Sequence, residues 1–410
     1  MLNEFKFLTN KLPHHVIFYP TSRCNLFCEH CFNHKRQDNV DGNTGINSEM
    51  SLEEIDKFSS SFEHIKSLTI TGGEPFLRKD IKEIIEIFYK NNGLQYCSIH
   101  SHGLLNERVV STVKKIMEDL PELKVIYCTS IDGLEERHNQ IRGAKDGFNK
   151  CIKTVNDIQA IKNEYFERLF LLSCTIFSFS SQNEYIKTIK YINQNLKYVS
   201  PRACFIRGEP RDEKEKNIDT GIYKDFIKIT SKNIDKTVSP FSAMALKETI
   251  ESVTSRTVMK NYLEKKQTVP CQAGNKMLVI YENGDVNPCE YLTPKERLGN
   301  LRDVNPCEYL TPKERIGNLR DAGYDIKKIL GSDHSKCVVK DINPGKKCSC
   351  TWENAIGISL MYDKKSWPRI FMEWFNMFFL KRFILGWPNS LLNWFKNFFN
   401  KKTHSEVKIK

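Results

Sequence analysis

The 410-residue sequence opens without a charged segment followed by an apolar run. Met1 to Lys11 alternates polar and apolar residues, so no export signal is visible. With 20 glycines and 15 prolines it has too little of either for a fibrous chain. A hydrophobic fraction of 40% against 27% charged residues excludes a disordered one. Its 14 cysteines are too sparse for a disulfide-stapled scaffold. Without an export signal they are expected in a reducing, cytoplasmic compartment, as metal ligands, reactive thiols or small core residues. Acidic residues are in deficit, 50 against 62 Lys and Arg, a net charge of +12 that invites a nucleic-acid or membrane-surface reading. Residues 363–410 hold ten basic and three acidic side chains, so seven of the twelve surplus charges sit in the tail.

The cysteines sort by neighbourhood. Cys97, Cys128, Cys151, Cys174 and Cys204 are scattered singly through apolar, strand-like runs and read as small buried hydrophobes. Cys24, Cys28 and Cys31 differ, lying within eight residues after the apolar run Val16 to Tyr19, in a C-x₃-C-x₂-C spacing. Three soft thiolates on one loop suit an iron–sulfur cluster or zinc. They are one ligand short of a closed site, which leaves a position for a cofactor or substrate. A second signal follows, where the run Leu68 to Thr71 ends in Gly72-Gly73-Glu74-Pro75. The glycines permit positive φ and close backbone approach, and Glu74 offers an acceptor to a cationic group.

Together these two motifs resemble the radical S-adenosylmethionine (SAM) superfamily. The resemblance implies that Cys24, Cys28 and Cys31 hold three irons of a [4Fe–4S] cluster, with SAM on the fourth. It implies that Gly72, Gly73 and Glu74 form the turn contacting the SAM amino group, and that His30 leans toward the adenine. Ser130-Ile131-Asp132-Gly133, His138 and Arg142-Gly143 look like a fourth-strand segment of the same family. Ser130 and Arg142 are its expected polar contacts to SAM, while Asp132 also fits a turn cap. Ser101-His102-Gly103 sits where many relatives carry Thr-Asn-Gly, with histidine in place of the asparagine.

Apolar runs near residues 15–20, 67–71, 95–100, 124–131, 169–177 and 203–207 alternate with amphipathic stretches, the pattern of parallel β/α packing. Ser51 to Glu54 and Asp80 to Glu83 each read as a capping box opening a helix. The fold class is α/β. The resemblance sharpens it to a partial (β/α)₆ TIM-like barrel over residues 14–210, with a helical connection over 211–265. About fifteen residues precede the first barrel strand, so no fused leader-peptide-binding domain is expected there.

A second cysteine field occupies 266–360. Cys271, the strand Met277 to Tyr281, the turn at Gly284 and Cys289 resemble the opening of a SPASM/twitch extension, and Cys348-Ser349-Cys350-Thr351-Trp352-Glu353 resembles its close. The resemblance implies one auxiliary [4Fe–4S] cluster on Cys271, Cys289, Cys348 and Cys350, with Cys337 in reserve; the denser cysteine block of two-cluster relatives is missing. Zinc and metal-free thiols are the alternatives. Asp285 to Arg302 recurs as Asp303 to Arg320 with one change, Leu298 to Ile316, so Cys307 is a second copy of Cys289. Residues 361–410 form a basic aromatic tail with twelve Phe or Trp between 367 and 399, and Asn389 to Lys402 reads as an amphipathic helix. It is too charged to be read as a membrane span and suits a bilayer surface or a protein surface. Nucleic acid is the least favoured partner.

The reading that follows is a radical SAM enzyme acting on a peptide, carbohydrate or lipid-linked substrate, fed by a flavodoxin or ferredoxin. Its rival is a non-catalytic iron–sulfur carrier or scaffold.

Overall fold

The computed structural model describes residues 12–38, 48–230, 240–241, 243–290, 315–342 and 350–380. Six apolar runs become parallel strands: β1 (His15–Thr21), β2 (Ser67–Gly72), β3 (Tyr96–Ser101), β4 (Lys124–Ser130), β5 (Leu169–Phe177) and β6 (Val199–Phe205). They lie side by side in chain order, each joined to the next by at least one helix, as right-handed β/α crossovers require. One face of these strands packs against helices 52–61, 81–92, 106–119 and 147–164 through Val16, Phe18, Ile70, Cys97, Ile99 and Val125. The expected α/β barrel is observed.

Three local expectations need correction. Ser51 does form the capping box, accepting from Glu54 N while Ser51 N donates to the Glu54 carboxylate. Asp80 does not: its carboxylate is engaged by the Arg78 guanidinium at 2.8 and 2.6 Å and makes no capping bond. The helix over Ile81–Asn92 starts without it, because a bidentate charged pair outcompetes a neutral cap. The sixth strand begins at Val199, four residues before the apolar run at Ala203. Ser200, Pro201 and Arg202 hide it from a hydrophobicity reading, and Pro201 is tolerated because β6 ends the sheet.

The third correction concerns the second cysteine field. Its hairpin is an extension of the barrel sheet. β7 (Met277–Ile280) lies parallel to β1, and β8 (Asp285–Asn287) and β9 (Gly317–Asn318) add antiparallel beyond it, giving nine strands among the described residues. Buried Arg36 clamps this junction, donating to Glu282 at 2.7 Å while stacking 4.1 Å from the Tyr281 ring. The described residues between 211 and 265 are mainly helical, with helices over Thr220–Thr230 and Ala243–Glu264.

The sheet also shows how the tandem repeat is used. β8 is the start of the first copy and β9 the end of the second, with Asp285 opposite Asn318. Deleting residues 303–320 removes Gly317-Asn318 but puts Gly299-Asn300 in their place, at the same distance from Asp321, and puts Leu298 where Ile316 is buried. An Ile-to-Leu exchange costs less than about 1.5 kcal/mol. The shortened chain is expected to keep its iron content and to melt within a few degrees of the full one; loss of iron by chemical assay contradicts this.

The described part of the tail is docked on protein. The helix Trp367–Phe375 packs on Ala243–Glu264, with Arg256 bound to Glu373 at 2.5 Å and the Trp374 indole donating to Pro240 O at 2.8 Å. Among the described residues no helix is long and apolar enough to cross a membrane. The amphipathic stretch 389–402 lies outside the described residues.

Candidate active site

The carboxyl end of β1 runs into the loop bearing Cys24, Cys28 and Cys31, and the carboxyl end of β2 runs into Gly72-Gly73-Glu74. This is the end of a parallel sheet where strand-to-helix loops gather functional groups. The two loops are stitched together by backbone: Gly73 N donates to Thr21 O at 3.0 Å and Glu74 N to Arg23 O at 2.8 Å. A Cβ on Gly73 would lie 2.0 Å from Arg23 O, and one on Gly72, whose φ is +132°, would lie 2.4 Å from Thr21 O. The glycines are therefore needed for the cysteine loop itself to approach, a reason the sequence alone attributed to a ligand.

Glu74 is buried and held by donors from three places: Ser101 Oγ at 2.9 Å, His102 N at 2.9 Å and Phe76 N at 3.2 Å. His102 Nε2 also lies 3.3 Å from Glu74 Oε2, so the imidazole N–H faces the carboxylate as well. His102 holds two loops together. It is buried, its Nε2 meets Asn25 Oδ1 at 2.8 Å and its Nδ1 accepts from Leu104 N at 3.0 Å. It ties the third strand's turn to the cysteine loop.

Arg142 occupies the cavity wall and is already engaged. It donates to Asp132 Oδ2 at 2.5 Å from Nε and again from Nη2, and its Nη1 lies 3.7 Å from Cys28 Sγ. Burial opposes the Asp132 charge, yet Arg142 brings that carboxyl below its usual range. Asp132 also accepts from Ile176 N at 2.8 Å, so it joins β5 to the Arg142 helix rather than merely capping a turn. His30 is buried, 4.0 Å from Asp132 at Nε2, with Nδ1 unpartnered; burial pushes it down to about 4, so it is neutral at neutral pH.

Cys24, Cys28, Cys31, His30, Gly72, Gly73, Glu74, Ser130 and Arg142 all line one cavity of about 210 Å³. The three cysteines, His30, the Gly72-Gly73-Glu74 turn, Ser130 and Arg142 are brought together, while Asp132 and His138 of the fourth-strand segment are not in its lining. Burial pushes Cys24 up to about 12 and Cys31 up to about 11, so both stay protonated at neutral pH unless a cation is bound beside them. Among the described residues no three His, Cys, Asp or Glu side chains converge on one ion position. Three thiols lining one cavity are a soft donor set of the kind that an iron–sulfur cluster or zinc takes.

In the second field Cys271 and Cys289 are buried and Cys350 is half-buried; Cys348 and Cys307 lie outside the described residues. Backbone N–H groups two residues on donate to sulfur in two of them, Ala273 N to Cys271 and Trp352 N to Cys350, both at 3.4 Å. Such bonds stabilise thiolates at cluster ligands. A Cβ on Gly274 would touch Pro288 and Val339, which brings the turn after Cys271, the residue before Cys289 and the helix Asp333–Ile342 into one place. Cys337 on that helix is disulfide-bonded and is not offered as a reserve ligand.

The five scattered cysteines split. Cys97 and Cys151 are core residues, as expected. Cys128, Cys174 and Cys204 instead face the barrel lumen from three adjacent strands and line its cavities. Hydrogen bonding with Cys128 and burial push the Cys174 thiol well above its usual value. The sequence could not separate the faces of β5, because Leu171-Leu172-Ser173-Cys174 lacks a polar alternation. Glu353 was also missed as a lumen residue; it accepts from Phe205 N and Arg207, both at 2.6 Å.

Residues 18–173 match the model of the Radical SAM superfamily. The chain is 25% identical over 303 residues to the antilisterial bacteriocin subtilosin biosynthesis protein AlbA of Bacillus subtilis, covering 73% of this chain and 58% of that protein. It is 28% identical over 226 residues to a probable GTP 3′,8-cyclase of Methanococcus aeolicus, covering 53% of this chain and 67% of that one. The chain thus spans between half and two thirds of these relatives' length. Among solved structures, anSMEcpe with bound AdoMet superposes with a TM-score of 0.52 at 18% identity, covering 91% of this chain and 94% of that one. Streptococcus suis SuiB bound to precursor peptide SuiA superposes at 0.50 and 15% identity, covering 88% and 76%. At these identities the two structures establish the shared fold.

Proposed function

We propose that the chain is a radical SAM enzyme that generates a carbon radical on a peptide substrate, a reading supported by the match of residues 18–173 to the Radical SAM superfamily model. The observation that carries this reading is the cavity shared by three loop thiols, the double-glycine turn and a buried carboxylate. A [4Fe–4S] cluster with SAM supplies reductive cleavage to methionine and a 5′-deoxyadenosyl radical that abstracts hydrogen from substrate. This chain's residues hold and orient. Cys24, Cys28 and Cys31 would hold the cluster, and Arg142 Nη1, 3.7 Å from Cys28 Sγ, would support that ligand through its N–H. Glu74 would take an N–H of the SAM ammonium, His30 would stand on the adenine side, and Ser130 would add a polar contact. The apolar strands behind the cavity keep water from the radical.

Cys271, Cys289, Cys348 and Cys350 hold one auxiliary cluster in this reading, which accepts an electron or anchors substrate. The peptide class is supported by the bacteriocin-biosynthesis relative. A flavodoxin- or ferredoxin-type protein supplies the electron. Adding SAM to the anaerobically reconstituted, dithionite-reduced chain is expected to alter the cluster's paramagnetic resonance spectrum; a spectrum indifferent to SAM supports the carrier reading instead.

For the tail, the aromatic and basic sequence of 389–402 supports docking on an anionic membrane surface. Full-length chain is expected to float with anionic liposomes, and a chain ending at Leu380 to remain in the pellet fraction. Truncation belongs there because residues 367–378 pack on the protein. Equal flotation rejects the membrane reading.

A further inference from the structure

Thr69, His100, Cys174, Cys204, Glu353 and Asn354 line two cavities at once. One is the candidate SAM cavity. The other, about 450 Å³, runs on through the lumen toward the amino ends of the strands, reaching His15, Ser67 and Tyr96 at the starts of β1, β2 and β3. TIM-barrel lumens are ordinarily filled by layers of branched side chains. Here Cys128, Cys174 and Cys204 occupy three inward positions and Ala203 lines the wall, so the space stays open.

The wall chemistry selects the occupant. Arg202 is paired with Glu248 at 2.9 Å and with Glu251, and Lys247 faces Glu251 at 3.8 Å. Lys66 stands over the Tyr96 ring. Burial pushes His15 and His100 down to about 4, so both are neutral. The charged groups thus answer one another. The rest of the lining is largely apolar, with Leu68, Ile126, Leu172, Ile250, Ile358 and Met361 spread over it. Three buried polar atoms lack partners: Arg202 Nε, which donates, Thr254 Oγ1, whose hydroxyl can donate, and His15 Nε2, which donates in the tautomer where Nδ1 accepts from Ser67 Oγ. An uncharged, apolar group carrying carbonyl oxygens satisfies this wall, whereas a charged one would be buried without a counter-ion.

We propose that the lumen cavity is a specificity pocket that takes a large uncharged side chain of the peptide substrate, with neighbouring peptide carbonyls meeting the unpartnered donors. The proposal rests on the peptide-modifying reading above and names what that peptide must present. The volume is in the range of organic-ligand pockets.

The lumen thiols report occupancy. The full, cluster-loaded chain is treated anaerobically with N-ethylmaleimide, with N-acetyl-phenylalaninamide or N-acetyl-glutamate amide present, and labelling at Cys128, Cys174 and Cys204 is read by peptide mass. The phenylalanine amide is expected to slow labelling at least about threefold at twice its dissociation constant. The glutamate amide is expected to leave it unchanged, and Leu172→Trp, which fills the cavity, to remove the protection with iron content intact. Equal effects of the two amides, no effect of either, protection that survives Leu172→Trp, or lumen thiols that never label each overturn the pocket. 5′-Deoxyadenosine formation by the same preparation is measured separately. Its absence with protection intact removes the enzymatic reading and keeps the pocket; its presence without protection does the reverse.

Discussion

Gly73→Ala is expected to lower SAM cleavage at least about a hundredfold, the cost of misplacing a reacting group by about 1 Å. The added methyl would sit 2.0 Å from Arg23 O and 2.5 Å from Ser22 O, both backbone atoms with no side-chain freedom to yield. Relief requires moving the chain one residue before Cys24, and the two inter-loop hydrogen bonds move with it. Gly93→Ala is the control. Gly93 also has positive φ, +62°, but ends a helix away from the site and has only the His64 ring nearby. It should cost about 1 kcal/mol of stability and leave cleavage unchanged. 5′-Deoxyadenosine measured in both variants, beside iron content, decides; an active Gly73→Ala chain refutes the close-approach account.

The second large effect is expected at Asp132. Asp132→Leu leaves the buried Arg142 guanidinium without its carboxylate and should destabilise the fold by about 3–5 kcal/mol. Asp132→Leu with Arg142→Leu removes both charges and should recover most of that loss. The double variant still lacks the N–H near Cys28 Sγ, so its iron should be lost to a chelator about 10–100 times more readily. Stability and iron retention therefore part company in the double variant. If both recover together, Arg142 serves only the ion pair.

How much of this was readable beforehand follows from where the signal lies. β1 to β5 are apolar runs that no tertiary context needs to rescue, and the sequence places them to within a residue or so. The start of β6 was hidden because an edge strand admits Pro201 and because Arg202 faces carboxylates from a distant helix. Cys24, Cys28, Cys31 and Glu74 were legible because their chemistry is written in short-range spacing. The double role of Asp132, the bridge made by His102 and the lumen position of Glu353 depend on partners up to 148 residues away, as in Glu353 with Phe205. No local pattern encodes such pairs. The joining of β7 to β1 was invisible for the same reason, since a strand's sequence names no neighbour.

The central claim is that the three loop thiols hold a cluster at which SAM is cleaved. It is tested most directly by 5′-deoxyadenosine formed from SAM and dithionite under anaerobic conditions, comparing the reconstituted chain with its Cys24→Ser, Cys28→Ser, Cys31→Ser triple variant. The account predicts several turnovers by the parent chain and none by the variant, which loses one cluster's iron and retains any iron of the second field. Absence of 5′-deoxyadenosine from the fully loaded parent, or its formation by the triple variant, would contradict it.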